Sequence, residues 1–302
     1  MDGIGIGRLP FGYGRSKSGS RPVLEGIGKS TWTRNVLICP RDGYGTVTMV
    51  DQGFRLNKCK RLSFFGFTGP TVGWVLTNCT RMQMGWGIWS TVNITQSGTA
   101  IGLYELVVGF RRDENDTVGI RPTGRTKLTN LTRFGCVFGP SVKRAGSSAH
   151  SDTVQLEGTG TGTFGGFTST DCIDFGSSNA AYIAHTRLNR LEFRHCLVLA
   201  GTLPWKIYPL EAGDYQGKPN ALGGGCRDAR FYDSHVVGSL GGLRYTHVQN
   251  TRVNYTPQSS QRPRNSGSWT VDPSMTNWTR EDIMAIAGTD FTNESYEQYW
   301  TW

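Results

Sequence analysis

The sequence predicts an all-β chain wound as a parallel β-helix, and three observations carry that expectation. First, one short unit recurs: a few alternating residues, then Asn, Asp, Gly or His, then Cys, Ser or Thr, then a short apolar strand. It is seen in Leu131-Thr-Arg-Phe-Gly-Cys-Val-Phe138, Ser169-Thr-Asp-Cys-Ile-Asp-Phe175 and Leu191-Glu-Phe-Arg-His-Cys-Leu-Val198. It returns in Arg230-Phe-Tyr-Asp-Ser-His-Val-Val237 and Val248-Gln-Asn-Thr-Arg-Val253, and in looser form at Arg61–Phe67 and Leu76–Met84. Repeats of about 20 to 50 residues signal a solenoid. Second, 41 of the 302 residues are Gly and only 18% are charged, against about 25% in an average domain, which favours a turn-rich β protein. Third, no Asn-Gly hairpin joins the strand runs, as expected when strands pair in parallel between coils.

The unit has a physical reading. Its polar residue turns a corner in a left-handed conformation, the small Cys, Ser or Thr stacks behind it, and the next apolar residues point inward. Cys172 and Cys196 lie 24 positions apart, a plausible coil. The 36 positions from Cys136 to Cys172 require a loop or a variant turn. With a rise of about 4.8 Å per coil, nine or ten coils make a rod of roughly 45 Å.

In chain order, residues 1–30 form an extended arm rich in Gly, Ser and Arg. Its Gly3-x-Gly5-x-Gly7 series lacks the preceding strand and the following Gly-Lys-Ser/Thr of a phosphate loop. Residues 31–256 form the β-helix. The stretch 203–225 interrupts it with a long aromatic loop. Residues 257–302 form a tail, with a short helix over Thr279–Ala287 capped by Asn277 or Thr279. The terminal aromatics Tyr296, Tyr299, Trp300 and Trp302 are expected to pack on the rod's end or on another subunit.

The seven Cys have no zinc spacing and read as free, core-facing side chains in a protein assembled in a reducing cytosol. No secretory signal and no membrane span are expected. The formal charge of +9 suits either a solvated basic surface or an anionic partner. Lys and Arg are scattered without a run of like charges, so a nucleic-acid partner is disfavoured.

Candidate chemistry centres on Ala149-His-Ser-Asp-Thr-Val-Gln-Leu-Glu-Gly158. His150, Asp152 and Gln155 bring three hydrogen-bonding types into the alternating run Val154, Leu156. Two readings stay open: a turn whose polar groups satisfy backbone, or a groove in which His150 and Asp152 contact a glycan or a metal. Asp174 lies 22 positions after Asp152, about one coil, and stacking would bring the carboxylates to roughly 5 Å, the separation of a retaining glycosidase pair, with Asp171 an alternative. Such a pair would also suit Ca²⁺, and no other cofactor is expected. Arg190, Glu192 and Arg194 alternate with Leu191 and Phe193 and should face outward together, as should Arg230 and Tyr232. They form either a solvated face or a surface for anionic sugars. In the loop, Trp205, Lys206, Tyr208 and Tyr215 either stack on sugar rings or pack on the rod.

The His-x-Asp-x-apolar-Gln pattern at 150–155 and the recurring corners resemble the right-handed parallel β-helix proteins of the pectate-lyase-like superfamily, including many bacteriophage tail proteins. The resemblance covers about residues 31–256. The chain lacks the Asn-Thr-Asp, Asp-Asp and Gly-His-Gly motifs of polygalacturonase-type hydrolases, and Arg121-Pro-Thr does not match a lyase Arg-x-x-Pro. The resemblance implies a tail spike or minor tail protein, made in the host cytoplasm and carried on the virion. It would attach through its N-terminal arm to other tail proteins, form a homotrimer and bind cell-surface polysaccharide along the rod. An acidic-glycan lyase or hydrolase is the alternative.

Overall fold

The computed structural model describes residues 23–289 except 27–28, 30, 32, 44–46, 50–52, 186 and 209–218. Most of the expected arm, Tyr215 and the terminal aromatics Tyr296, Tyr299, Trp300 and Trp302 lie outside the described residues. Every recorded pairing between strands is parallel.

The register resolves into three stacks, each visited once per coil. The first includes Val118–Arg121, Asp152–Leu156, Ala180–Ala184 and Asn220–Gly224. The second includes Leu128–Phe134, Phe164–Thr170, Leu188–Arg194 and Ala229–Tyr232. The third includes Val137–Phe138, Ile173–Phe175, Leu197–Leu199 and His235–Val237. This is a parallel β-helix. Its stacked strands run from Val23–Glu25 to Ser266–Val271, on either side of the 31–256 interval.

The corners explain the recurring unit. Asp171, His195, Asp233 and Asn250 have φ of 51, 50, 50 and 45°, with Gly135 at 61°. The next residue donates back two positions: Cys136 to the Phe134 carbonyl (3.5 Å), Cys172 to Thr170 (3.1 Å) and Cys196 to Arg194 (3.2 Å). Ser234 and Thr251 do the same to Tyr232 (2.7 Å) and Gln249 (2.8 Å). Four of these carbonyls also accept a corner N–H from the preceding coil: Thr170 from Gly135 (3.1 Å), Arg194 from Asp171 (3.1 Å), Tyr232 from His195 (2.9 Å) and Gln249 from Asp233 (3.0 Å). A small donor stands behind each of these five corners, which is why Cys, Ser and Thr alternate there. All seven Cys are free and six are buried. Cys39 is exposed, contrary to the core-facing expectation, because it follows the edge strand Val36–Ile38 and no such corner.

The corner strain is testable at Asn130, exposed with φ of 55°. Asn130→Val is expected to lower stability by about 1–2 kcal/mol, since a β-branched side chain is penalised in the left-handed region. Asn130→Gly should be tolerated. Urea unfolding of the two variants checks this.

In the first coils the repeat is shorter than 24 residues, since Arg55 pairs with Val75 and Ser63 with Gln83, each 20 positions on. The run Phe67–Val108 is one continuous 42-residue strand that bends at left-handed Asn78, Arg81, Trp86, Gln96, Ala100 and Glu105. Thr77 and Thr95 stack with hydroxyls 3.1 Å apart at a separation of 18 residues. The coil from Cys136 to Cys172 does carry extra chain, at 143–151 and 157–163 between strands, while Val137 still pairs with Ile173.

Two apolar clusters hold the fold. One fills the solenoid with residues such as Phe64, Trp74, Leu103, Val154, Phe193 and Phe231. The other lies outside the third stack, where Val137, Ile173, Phe175, Leu197, Leu199 and Val237 face outward. Helix α1 (Leu203–Ile207) and the C-terminal segment cover them with Leu203, Ile207, Met275 and Ile283. The predicted C-terminal helix is α2 (Arg280–Ile286), with Thr279 as N-cap in a reciprocal box with Asp282. No described helix is long and apolar enough to cross a membrane.

Candidate active site: a polar cleft across successive coils

At the corner between the third and first stacks, a cleft of about 510 Å³ runs along the rod axis over successive coils. Thr71–Gly73, then Ser90, Thr91 and Asn93, then the 111–116 segment with Arg121, and finally His150 line it. On one wall stands Arg111, which belongs to a small parallel pair, Arg111–Arg112 with Ser141–Val142.

Arg111 is the post of that wall. It is 8% exposed and donates to Ser90 Oγ (3.2 Å), Asp113 Oδ2 (2.6 Å), and the carbonyls of Asn115 (3.3 Å) and Asp116 (3.2 Å). Its buried Nε has no hydrogen-bond partner among the described residues. Burial lowers its pKa, opposed by the charges of Asp113 and Asp116. Asp113 Oδ1 in turn accepts from Asn115 N (3.0 Å) and Nδ2 (2.7 Å). The segment is thus pre-ordered by bonds among its own residues and to the neighbouring coil.

Asp116 pairs with Arg121, and its Oδ1 accepts from the Asp152 backbone N–H at 2.9 Å. Burial raises Asp116 from its ordinary value, against the Asp152 N–H bond and the charge of Arg121. Arg121 Nε donates to Gln155 Oε1 at 2.9 Å.

The structure places the sequence-predicted residues as follows. His150 is exposed on the cleft, and Gln155 is joined to it through Arg121. Asp152 sits behind Asp116, 2% exposed, and accepts from Asn179 Nδ2 at 2.8 Å. Burial pushes its pKa up to about 7, with the nearby charge of Asp116 adding to this. Asp152 opens its strand directly, in the same alternation as buried Val154 and Leu156.

Asp174 is elsewhere. Asp152 pairs with Ala180 in the first stack, whereas Asp174 pairs with Phe138 and Val198 in the third. The expected carboxylate pair is not formed, because 22 positions lead to a different face and not to the next coil on the same one. Asp174 is fully buried and bonded to Arg133 and Tyr182. Among the described residues, no cluster of three or more His, Cys, Asp or Glu side chains is grouped as metal ligands.

On the outer second stack, Glu192 pairs with Arg230 and Arg194 with Tyr232. Arg190 and Arg194 flank Glu192 at 3.7 and 2.7 Å, so Glu192 faces outward yet is only 6% exposed. The Arg194 guanidinium lies 4.4 Å over the Tyr232 ring, and Arg230 forks onto Asp228 with two 2.8 Å bonds. These arginines are occupied by neighbours at a mostly exposed surface, where such pairs contribute little.

The loop residues divide. Tyr208 is 2% exposed, edge-on to Phe110 at 5.2 Å and Phe175 at 5.5 Å. It belongs to the outer core and is not available for stacking on a sugar. Trp205 packs against the same cluster, and Lys206 Nζ ties α1 to the Thr276 carbonyl (2.9 Å) and Asn277 Oδ1 (2.8 Å). The reason is the apolar outer face of the third stack, which has to be covered.

Sequence reasoning missed Arg111, Asp113 and Asp116 and set Arg121 aside. The available signal was the density of charge in Arg111-Arg-Asp-Glu-Asn-Asp116, which a search for runs of one sign does not detect.

No protein-family model matches the chain, and no curated protein does. Among solved structures, that of the pectate lyase Pel9A is similar, with 11% identity, a TM-score of 0.40, and coverage of 79% of this chain and 67% of that one. The strand register itself makes this chain a parallel β-helix, and its polar cleft lies where the third stack turns into the first.

Proposed function

We propose that the chain binds polysaccharide in the cleft running from Thr71 to His150, as the host-recognition protein of a bacteriophage tail. The observation that carries this reading is the composition of the cleft wall. Arg111, Asp113, Asp116, Arg121, Asn93 and Thr91 converge on a groove with almost no apolar lining. Planar guanidinium, carboxylate and amide groups match the paired hydroxyls of sugars, and a site held by buried bonds does not have to be ordered on binding. The groove follows the rod axis, as a linear polymer requires. The net charge of +9 favours an acidic glycan through long-range attraction. The tail-spike role is supported by the sequence order of Gly/Ser/Arg-rich arm, β-helix and aromatic tail, and carries with it trimer formation and attachment through the arm.

A second reading, cleavage of the bound glycan, is favoured by one observation. Burial raises the Asp116 pKa in a cleft that also holds the carboxylate of Asp113, and a raised carboxyl is what a general acid needs.

Calorimetric titration with a panel of acidic and neutral envelope polysaccharides tests the binding reading. Arg121→Ala, with its circular dichroism unchanged, is expected to weaken the bound glycan about tenfold, or ~1.4 kcal/mol. Absence of binding across the panel, or unchanged affinity in Arg121→Ala, would refute it. Release of reducing ends or of unsaturated uronate by wild type, lost in Asp116→Asn, establishes the enzyme reading. A solution mass of three chains is expected for the trimer.

A further inference from the structure

A second hollow, of about 640 Å³, lies on a different corner and among later coils, between the second-to-third turn and the C-terminal segment. Its floor is the corner pair Asp233 and Asn250 with His235 and Arg252 from the third stack, and its far wall is Asp272, Trp278 and α2. Trp278 packs on the outer apolar cluster while remaining half-exposed to the hollow, and its ring centre is 5.4 Å from that of His235.

The polar groups around that ring are already positioned. Asn250 Nδ2 donates to Asp233 Oδ1 at 3.0 Å. Arg252 Nη1 donates to Asp272 Oδ2 at 3.1 Å, while Asp272 Oδ1 accepts from Ser274 N and Oγ at 3.2 and 2.5 Å. Asp282 Oδ2 caps α2 through Thr279 N at 2.8 Å. We infer that this hollow is a pyranose-binding site, with Trp278 as the ring platform and Asp233, Asn250 and Arg252 as the hydroxyl-binding groups, and that it selects an amino sugar over a uronate.

The stacking half of the inference rests on Trp278, because an indole face buries the apolar face of a pyranose at low entropic cost. Selectivity rests on charge. Asp233, Asp272 and Asp282 oppose the single guanidinium of Arg252. His235 supplies no compensating cation, since burial lowers its pKa, assisted by the positive charge of Arg252. A protonated amine is attracted into such a hollow, and a second carboxylate is repelled. The site shares no lining residue with the cleft at His150, so the two are separable by mutation.

Titration of the full chain with D-glucosamine, D-glucose and D-glucuronate, followed by calorimetry and saturation-transfer NMR, tests the site. Glucosamine should saturate at millimolar concentration and bind at least about fivefold tighter than glucose, with glucuronate weakest. Trp278→Ala should weaken glucosamine about tenfold and Trp278→Phe much less, because the ring is kept. Asp233→Asn should reduce the preference for glucosamine over glucose. No saturable binding of the three sugars overturns the inference. So does tightest binding of glucuronate that is lost in Trp278→Ala, or unchanged glucosamine affinity in Trp278→Ala.

Discussion

Replacing Arg133 with methionine is expected to destabilise the solenoid by about 3–5 kcal/mol, the usual cost of leaving one member of a buried ion pair behind. Arg133 occupies an inward row of the second stack, paired with Leu103 on one side and Ser169 on the other. Its guanidinium is fully buried against Asp174. Nε donates to Ser169 Oγ at 2.8 Å and Nη1 to Asp174 Oδ1 at 2.6 Å. The Phe138 ring lies 4.5 Å from its carbon Cζ, and Tyr182 OH donates to Asp174 Oδ2 at 2.9 Å. Burial works against the Arg133 charge, and the charge of Asp174 overrides this and raises its pKa. The single variant strands a carboxylate in the core, whereas Arg133→Met with Asp174→Leu removes both charges and should recover most of the loss. Urea midpoints at constant slope measure the cycle. Equal losses in the single and the double variant would show that packing, and not the stranded charge, sets the cost.

Asp152→Asn should stabilise the protein at pH 9 by up to about 4 kcal/mol and flatten its pH profile. Burial is the main reason that the folded-state pKa of Asp152 stands at about 7 against an ordinary 3.8. A carboxyl that binds its proton more readily when folded makes folding more favourable in acid. The penalty is therefore complete above pH 7, falls as the pH drops through 7, and is gone below 3.8. Asparagine keeps the acceptor for Asn179 Nδ2 without the charge. Below about pH 4 the opposite sign enters, since bonds from Ser274 and Arg252 hold Asp272 below its ordinary value and its protonation destabilises the fold. Thermal unfolding between pH 5 and 9 isolates the Asp152 effect. Parallel profiles for wild type and Asp152→Asn would place the titration on another group.

The residues behind these two expectations differ in how far sequence alone reveals them. Arg133 shares parity with Leu131, so alternation already points it inward, but nothing local shows that Asp174 and Tyr182 arrive beside it. They come from the next coil, across a connection whose length varies from coil to coil. The same variation defeated the pairing of Asp152 with Asp174. A separation near one coil length brings residues together only when both lie on the same face, and here the extra residues sit unevenly among the corners. His150 lies just before the strand Asp152–Leu156 and Gln155 within it, beside the alternating Val154 and Leu156, so both could be singled out from the sequence. Arg111, Asp116 and Arg121 join them only through bonds between coils, from Arg111 to Ser90, from the Asp152 N–H to Asp116 and from Arg121 to Gln155.

The outer core follows similar logic. Ile173-Asp-Phe175 and Leu197-Val-Leu199 carry apolar residues on the outward parity, which is the signature of a strand covered on both faces. That pattern was present in the sequence, but which segment does the covering was not. It is α1 and the tail around Met275 and Ile283, and their docking removes Tyr208 from any surface role.

The sequence by itself determined the corners, and with them the fold: a left-handed polar residue and a small donor are demanded within three or four positions, so the requirement is written locally. Only the tertiary structure decided which side chains meet across coils. Those meetings depend on summed loop lengths and on which face each strand presents, and no short window of residues encodes either.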